Sequence, residues 1–421
     1  MRNVLRISKN GKVKKVGWSS FEGLELSSRV DLIQALIPVG LRFVEEMLRA
    51  EVEELAGKRY KRVGRKKGCV RWTSQRGSVY LGDQKVPVNV PRVRNRILSK
   101  EERLKSYEML QEPRNGDESL FRKVLLGLSC RDYESCAQAL PGVFGLSSST
   151  VSRRFIRISS RKLNGFFERS LSGYDIVSIF LDGKSFALDE IVIALGVTTK
   201  GEKIILGFIQ TGTENERVIK EFLSTLVDRG LKYKDGLLFV IDGSKGIRSA
   251  IERVFSDYAL VQRCQWHKRE NVVSYLPKGY QSGIRKKLQE AYEKKDYNEA
   301  RGALLEVKKE LSRINVSAVK SLEEGFEETL TLHKLGLFKE LGISFKTTNC
   351  LESLMASIGR ITDKVSRWRD SSHKQRWVAC ALLEIEPRLR KVKGYKHLPK
   401  LRAVLKEIVG GETKEKEQLA A

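Results

Sequence analysis

Apolar positions along this chain alternate between helical spacing and short continuous runs, and each change marks a stretch of different architecture. Over residues 31–56, Leu32, Leu36, Leu41, Val44 and Leu48 recur at helical spacing. The pattern is interrupted at Ile37-Pro38-Val39-Gly40, where proline withdraws a backbone donor and predicts a break. Residues 78–81 and 85–90 flank Gly82-Asp83-Gln84 and predict a hairpin, and residues 90–96, Val-Pro-Arg-Val-Arg-Asn-Arg, run on as an extended basic arm. Residues 118–128 and 133–140 are short helical patterns. A turn over 141–146 leads to a third helix, beginning at Ser147 or Ser148 with a hydroxyl cap and carrying Thr150, Ser152, Arg153, Arg154 and Arg157 near its start. Together they have the rhythm of a helix-turn-helix.

Beyond Gly173 the runs shorten to strand length. Residues 176–181, 191–197 and 203–210 predict a three-stranded meander, followed by an amphipathic helix over 216–229, a fully apolar strand over 237–241, a helix over 245–255 and a strand over 258–263. Residues 266–341 show only charged helical segments. Another helix covers 347–361, with Thr347 or Thr348 as its cap, and helices continue to Pro399. The polar stretch 410–421 has little to bury and is expected to be disordered. No internal repeat or low-complexity block is present.

Charge narrows the function classes. The chain of 421 residues has a formal net charge of +27, more than solubility requires, and a surface of that sign concentrates polyanions by releasing their counterions. Residues 58–100 hold fourteen Lys or Arg against one acid, Asp83, so nearly half of the excess sits in a tenth of the chain. Arg62, Arg65, Lys66, Lys67, Arg92 and Arg94 there, with Arg153 and Arg154 on the third helix, are the candidate DNA-binding residues. No apolar run approaches the roughly 18 residues of a spanning helix, and the first residues lack the apolar stretch of a signal peptide, so a cytoplasmic location is expected. The six cysteines form no Cys-x-x-Cys pair, which fits neither a disulfide framework nor a paired-thiolate zinc site.

Two aspartates stand out against this background. Asp182 follows Ile179-Phe180-Leu181 and Asp242 follows Phe239-Val240-Ile241; each is expected to end an apolar strand, and each precedes glycine. If the two strands are neighbours, the side chains converge on one hard cation. A phosphodiester held by two metal ions wants a third carboxylate from a rigid element, and Glu352, in the first turns of the helix over 347–361, supplies it. Cys264 and His267 are spaced as Cys-x-x-His, but two ligands are only half of a structural zinc site. Cys264 is expected to end the last strand buried, with Trp266, His267, Lys268 and Arg269 facing the active cleft or DNA. A short match of residues 373–377, His-Lys-Gln-Arg-Trp, plus Tyr395 to a tyrosine recombinase site lacks a properly placed first arginine.

At these residues the sequence resembles the transposases of bacterial insertion sequences related to the Mutator elements of plants. Leu181-Asp182-Gly183 and Ile241-Asp242-Gly243 look like that family's first two acids. Cys264-Gln265-Trp266-His267 looks like its signature, and Thr347-Thr348-Asn349-x-x-Glu352 like its last acid. The separations of 60 and 110 residues are also similar. The resemblance implies an α/β protein: an RNase H-like mixed five-stranded sheet with a helical insertion before the last catalytic helix, preceded by a mainly helical DNA-binding N-terminal region. The expected division is a helical region over 1–57, a basic segment with a hairpin over 58–116, a helix-turn-helix-like region over 117–170, a core over 171–265 and 346–400, an insertion over 266–345 and a tail over 401–421. It further implies two Mg²⁺ or Mn²⁺ ions held by Asp182, Asp242 and Glu352, metal-dependent cleavage and strand transfer of double-stranded DNA at terminal inverted repeats, a homodimer or larger assembly on DNA, and a place in the bacterial cytosol at the nucleoid. A non-catalytic DNA-binding descendant and a plain metal-dependent nuclease are the alternative functions.

Overall fold

A computed structural model describes residues 5–7, 14–16, 26–60, 68–81, 84–111, 116–129, 148–187, 189–212 and 215–419. The chain divides into two compact units, Met1–Ile158 and Ser159–Ala421.

In the first unit, Leu5–Ile7 (β1) and Lys14–Val16 (β2) pair antiparallel, and Leu26–Ala56 (α1) is a single helix. The break expected at Pro38 does not occur. Proline removes one donor and crowds one carbonyl, a local defect that a 31-residue helix survives when its later turns are packed. Val44, Leu48, Val52 and Ala56, four residues apart on one face, are buried against Val79, Val88, Val90 and Val93. Those valines belong to Cys69–Leu81 (β3) and Gln84–Asn95 (β4), a hairpin much longer than the alternation around Gly82 suggested, extended by Lys100–Glu102 (β5) into a three-stranded antiparallel sheet. The arm expected over 90–96 is thus largely strand. Lys105–Gln111 (α2) starts on the carboxylate of Glu51, which accepts from the backbone N–H of Lys105 and Ser106. Gly116–Leu125 (α3) follows, and Ser148–Glu168 (α4) begins in the first unit and ends in the second. Phe121 and Phe155 stack with centroids 5.5 Å apart. The second helix and the turn of the expected helix-turn-helix, residues 133–146, lie outside the described residues.

The second unit is built on one sheet. Ile176–Phe186 (β6), Asp189–Thr198 (β7) and Lys203–Thr211 (β8) form the meander; Glu216–Asp228 (α5), Leu237–Ile241 (β9), Lys245–Phe255 (α6) and Ala259–Arg263 (β10) follow. The strand order is β10-β9-β6-β7-β8, with β10, β9 and β6 parallel and β7 and β8 antiparallel. Because strand side chains alternate, each strand feeds two cores. Ile179, Leu181, Phe239 and Ile241 face α5 and α6; Phe180, Leu238 and Val240 face the opposite layer of later helices.

Between β10 and that layer the described residues are helical: Gln265–Ser274 (α7), Lys278–Tyr292 (α8), Tyr297–Ser312 (α9), Val316–Glu323 (α10), Thr331–Lys334 (α11) and Phe338–Phe345 (α12). The first four carry their own core of Val272, Ile284, Leu288, Leu304, Leu311 and Leu322. Asn349–Thr362 (α13), Ser371–Ile385 (α14) and Leu398–Leu419 (α15) complete the second face of the sheet. The tail expected to be disordered from 410 is therefore helical to Leu419. Its start is anchored by Leu398, Leu401 and Leu405 in the core, and by buried Arg402, which donates to the carbonyls of Gly236 and Ile176.

Candidate active site

The register of the parallel strands builds the site. Leu181 of β6 pairs with Ile241 of β9, so one step further Asp182 and Asp242 emerge side by side on adjacent strands, about 4.8 Å apart in strand spacing. Alternation assigns both to the face of Phe180 and Val240, which α13 covers through Leu351, Leu354 and Ile358. Asp182 does not end its strand as expected: β6 runs on to Phe186, with Asp182 opposite Ile193 of β7. Its antiparallel partner continues the ladder past the point where the parallel partner stops. Asp242 does leave its strand at once, and its Oδ1 accepts the backbone N–H of Ser244 at 3.0 Å, while Ser244 Oγ caps α6.

Glu352 lies in the first turn of α13, on the sheet face shared by the two aspartates, and is exposed. Its Oε1 is 3.7 Å from His267 Nε2. His267 enters on the first turn of α7, which starts immediately after buried Cys264 at the end of β10. Its Nδ1 lies 3.4 Å from Thr348 Oγ1, and the same hydroxyl is 3.8 Å from Cys264 Sγ. Hydrogen bonding with Cys264, together with the negative charges of Asp182 and Asp242, raises the His267 imidazole well above its ordinary pKa against the opposing effect of burial. The Cys-x-x-His pair thus links the end of the last strand to the third carboxylate. Burial pushes the neighbouring Cys350 thiol up to about 12, so it stays protonated at neutral pH. Among the described residues no three carboxylate, imidazole or thiol groups stand close enough together to hold one ion. Glu352 is turned toward His267 instead.

Other expected residues divide. Trp266 is exposed and meets the His267 ring edge-on at 4.8 Å. Lys268 and Arg269 do not face the cleft. Lys268 is 1% exposed, and its Nζ donates to the carbonyls of Ser321 and Glu324 at the C-terminal end of α10; Arg269 engages Glu270 and Gln289. The reason is helix phase: one residue turns the side chain by about 100°, from the carboxylates into the insertion. Asn349 is the first residue of α13 and exposed. Thr348 sits at the N-cap as expected, but its hydroxyl makes no capping bond because it is engaged by His267 and Cys264.

Of the candidate DNA-binding residues, Arg62, Arg65, Lys66 and Lys67 lie outside the described residues. Arg92 pairs with Glu101 of β5, Arg94 lies over the Trp72 ring at 4.7 Å, and Arg154 lies over the Tyr80 ring at 5.1 Å; Arg153 is exposed. Tyr395 packs beside Gly201 and under Lys391, whereas the His373 ring lies tilted against Trp368 and Lys374 bonds Asp189, an arrangement that does not gather the residues of a tyrosine recombinase site.

Arg263 carried no signal in the sequence. Gly243, directly after Asp242, has φ +121°, and a Cβ there would meet Arg263 Nε at 2.2 Å. The Arg263 guanidinium fills that space, donating to the Gly243 carbonyl and to the Glu324 carbonyl, both at 3.0 Å. It fastens the loop of the second aspartate to the insertion.

Comparison with known proteins bears on this geometry. The profile described as "Transposase, Mutator family" matches residues 18–389. The transposase for insertion sequence element ISRM5 of Rhizobium meliloti is 27% identical over 400 residues, 90% of this chain and 96% of that protein. The transposase for IS6120 of Mycolicibacterium smegmatis is 28% identical over 58% of this chain and 75% of its own length. The transposase for IS905 of Lactococcus lactis is 26% identical over 76% and 81%. No helix among the described residues is long and apolar enough to cross a membrane.

Proposed function

The chain belongs to the Mutator family of transposases, and from that premise we propose that it cuts DNA at the terminal repeats of an insertion sequence and joins the freed ends to target DNA, with Asp182, Asp242 and Glu352 as the reacting acids. The observation that carries the reading is the register of Leu181 with Ile241, which makes Asp182 and Asp242 neighbours on the face where the helix of Glu352 begins. A sheet of order β10-β9-β6-β7-β8, antiparallel then parallel along the chain, is what an RNase H-like core requires, and supports that assignment.

The donor set fits Mg²⁺ or Mn²⁺: three carboxylates, all hard oxygen donors, from a strand, a strand end and a helix start. Such ions would acidify the attacking water and neutralise charge on the leaving 3′ oxygen. The chain's own groups orient the carboxylates. Ser244 fixes Asp242 from its backbone N–H, and His267, braced by Thr348, holds Glu352 at the edge of the site. Cleavage of this kind leaves a 3′-hydroxyl, which then attacks target DNA at the same site without a covalent enzyme intermediate. The excess positive charge, concentrated in residues 58–100, supplies affinity for phosphates. Two ends must be held together, so the working form is a dimer or larger on DNA.

The test is incubation of the full chain with duplexes of its element ends and Mg²⁺, followed by mapping of the cleaved 3′ termini. Cuts at the element boundary and joining to added target DNA are expected. Binding without cuts would make the chain a DNA-binding descendant, and cuts without joining a nuclease.

A further inference from the structure

The same strand and the same helix that carry two of the acids also line a cleft of about 530 Å³, within the roughly 300–1,000 Å³ of ligand sites. On β6, Lys184 and Phe186 follow Asp182 at alternate positions and share its face. On α13, Met355, Ala356 and Gly359 follow Glu352 at three, four and seven residues, one face of a helix. The cleft between them is walled by Trp368, whose ring meets Phe186 at 5.1 Å and His373 at 5.2 Å. Its rim has two chemistries. Ser185 and Asp363 offer polar groups, and the loop that presents Trp368 carries Lys364, Arg367 and Arg369, all exposed, as is Lys184.

An aromatic wall beside an apolar cleft, with cations spaced along the lip, is the chemistry of a site for one base of a nucleic acid strand: the ring accepts the base face and the cations meet the flanking phosphates. The cleft adjoins the acids along both elements, starting two residues beyond Asp182 on β6 and three beyond Glu352 on α13, so a strand held in it would pass beside them. We propose that this cleft receives a single nucleobase, unstacked from the DNA beside the scissile phosphate, and that Trp368 is the residue it stacks on. Extracting that base bends the strand at the reacting phosphate and fixes it relative to Asp182 and Glu352. The proposal rests on the DNA-cutting reading above.

Binding is measured with the full chain in the Asp182→Asn background, on element-end duplexes bearing a single mismatch scanned through the cleavage position. A mismatch removes the need to break a base pair, so at one position binding should tighten about tenfold. The gain should vanish in Trp368→Ala, persist in Trp368→Phe, and vanish in Ala356→Phe, which fills the cleft from an exposed helix position without removing packing. With Asp182 intact, Trp368→Ala and Ala356→Phe should cut slowly while still binding the ends. Normal binding and cutting by the parent chain, with no mismatch gain at any position or a gain unchanged by both Trp368→Ala and Ala356→Phe, would overturn the pocket and leave the transposase reading standing. Failure of the parent chain to bind or cut its ends would overturn both.

Discussion

Gly243→Ala is the perturbation whose effect the structure specifies most closely. At φ +121° an L side chain is strained, a cost of about 1–3 kcal/mol. The new Cβ also falls 2.2 Å from Arg263 Nε and 2.6 Å from its Cζ, so the guanidinium must leave. Arg263 is 6% exposed, and breaking its bonds to the carbonyls of Gly243 and Glu324 adds about 1–3 kcal/mol for each buried group left unpaired. The sum is on the order of 3 kcal/mol or more, with the distortion centred one residue from Asp242. Urea unfolding should show the midpoint lowered, and cleavage of an end duplex should fall further than the folded fraction alone explains. An alanine variant that unfolds at the wild-type urea concentration and cleaves normally would refute the packing of Arg263 beneath the second aspartate.

Other outcomes follow from the same interactions. Thr348→Val removes the hydroxyl that braces His267 and touches Cys264, and cleavage should drop about 10–100-fold with end binding unchanged in a mobility-shift assay. Burial, with Arg263 nearby, depresses Lys268 to about 8 from 10.5. The unfolded chain therefore binds the extra proton between those values, and the wild type should gain stability relative to Lys268→Met as pH rises from 8 to 10.5, read by denaturant titration at several pH values. Replacing Arg62, Arg65, Lys66 and Lys67 with alanine should flatten the plot of log affinity against log salt by up to about 0.9 for each phosphate no longer neutralised, and an unchanged slope would remove these residues from the DNA interface.

The sheet was legible because its signals are local. A fully apolar run such as 237–241, bounded by glycine and aspartate, can hardly be anything but a buried strand, and the helix over 245–255 begins and ends where the sequence indicates. Asp182 misled because a polar residue before glycine resembles a strand end, whereas the ladder there is maintained by a partner, Ile193, that the local pattern does not reveal. Pro38 misled in the opposite sense: a local penalty was overridden by packing of later turns against a sheet. The carboxylates could be selected from strand order and the family resemblance. The groups that fasten the surrounding segments could not, since Thr348 looks like a helix cap, Lys268, beside His267, reads as a residue of the cleft, and Arg263 looks like the end of a strand. Each acquires its role from a partner 20 to 84 residues away.

The central claim is that Asp182, Asp242 and Glu352 form one reacting site on this sheet. Asp182→Asn, Asp242→Asn and Glu352→Gln change a charge while keeping the size of each side chain, so each variant can be assayed side by side for binding and for Mg²⁺-dependent cleavage of the same labelled element-end duplex. The account predicts that all three bind the duplex about as well as the wild type and that none cuts it. Near-normal cleavage by any one of them would contradict it.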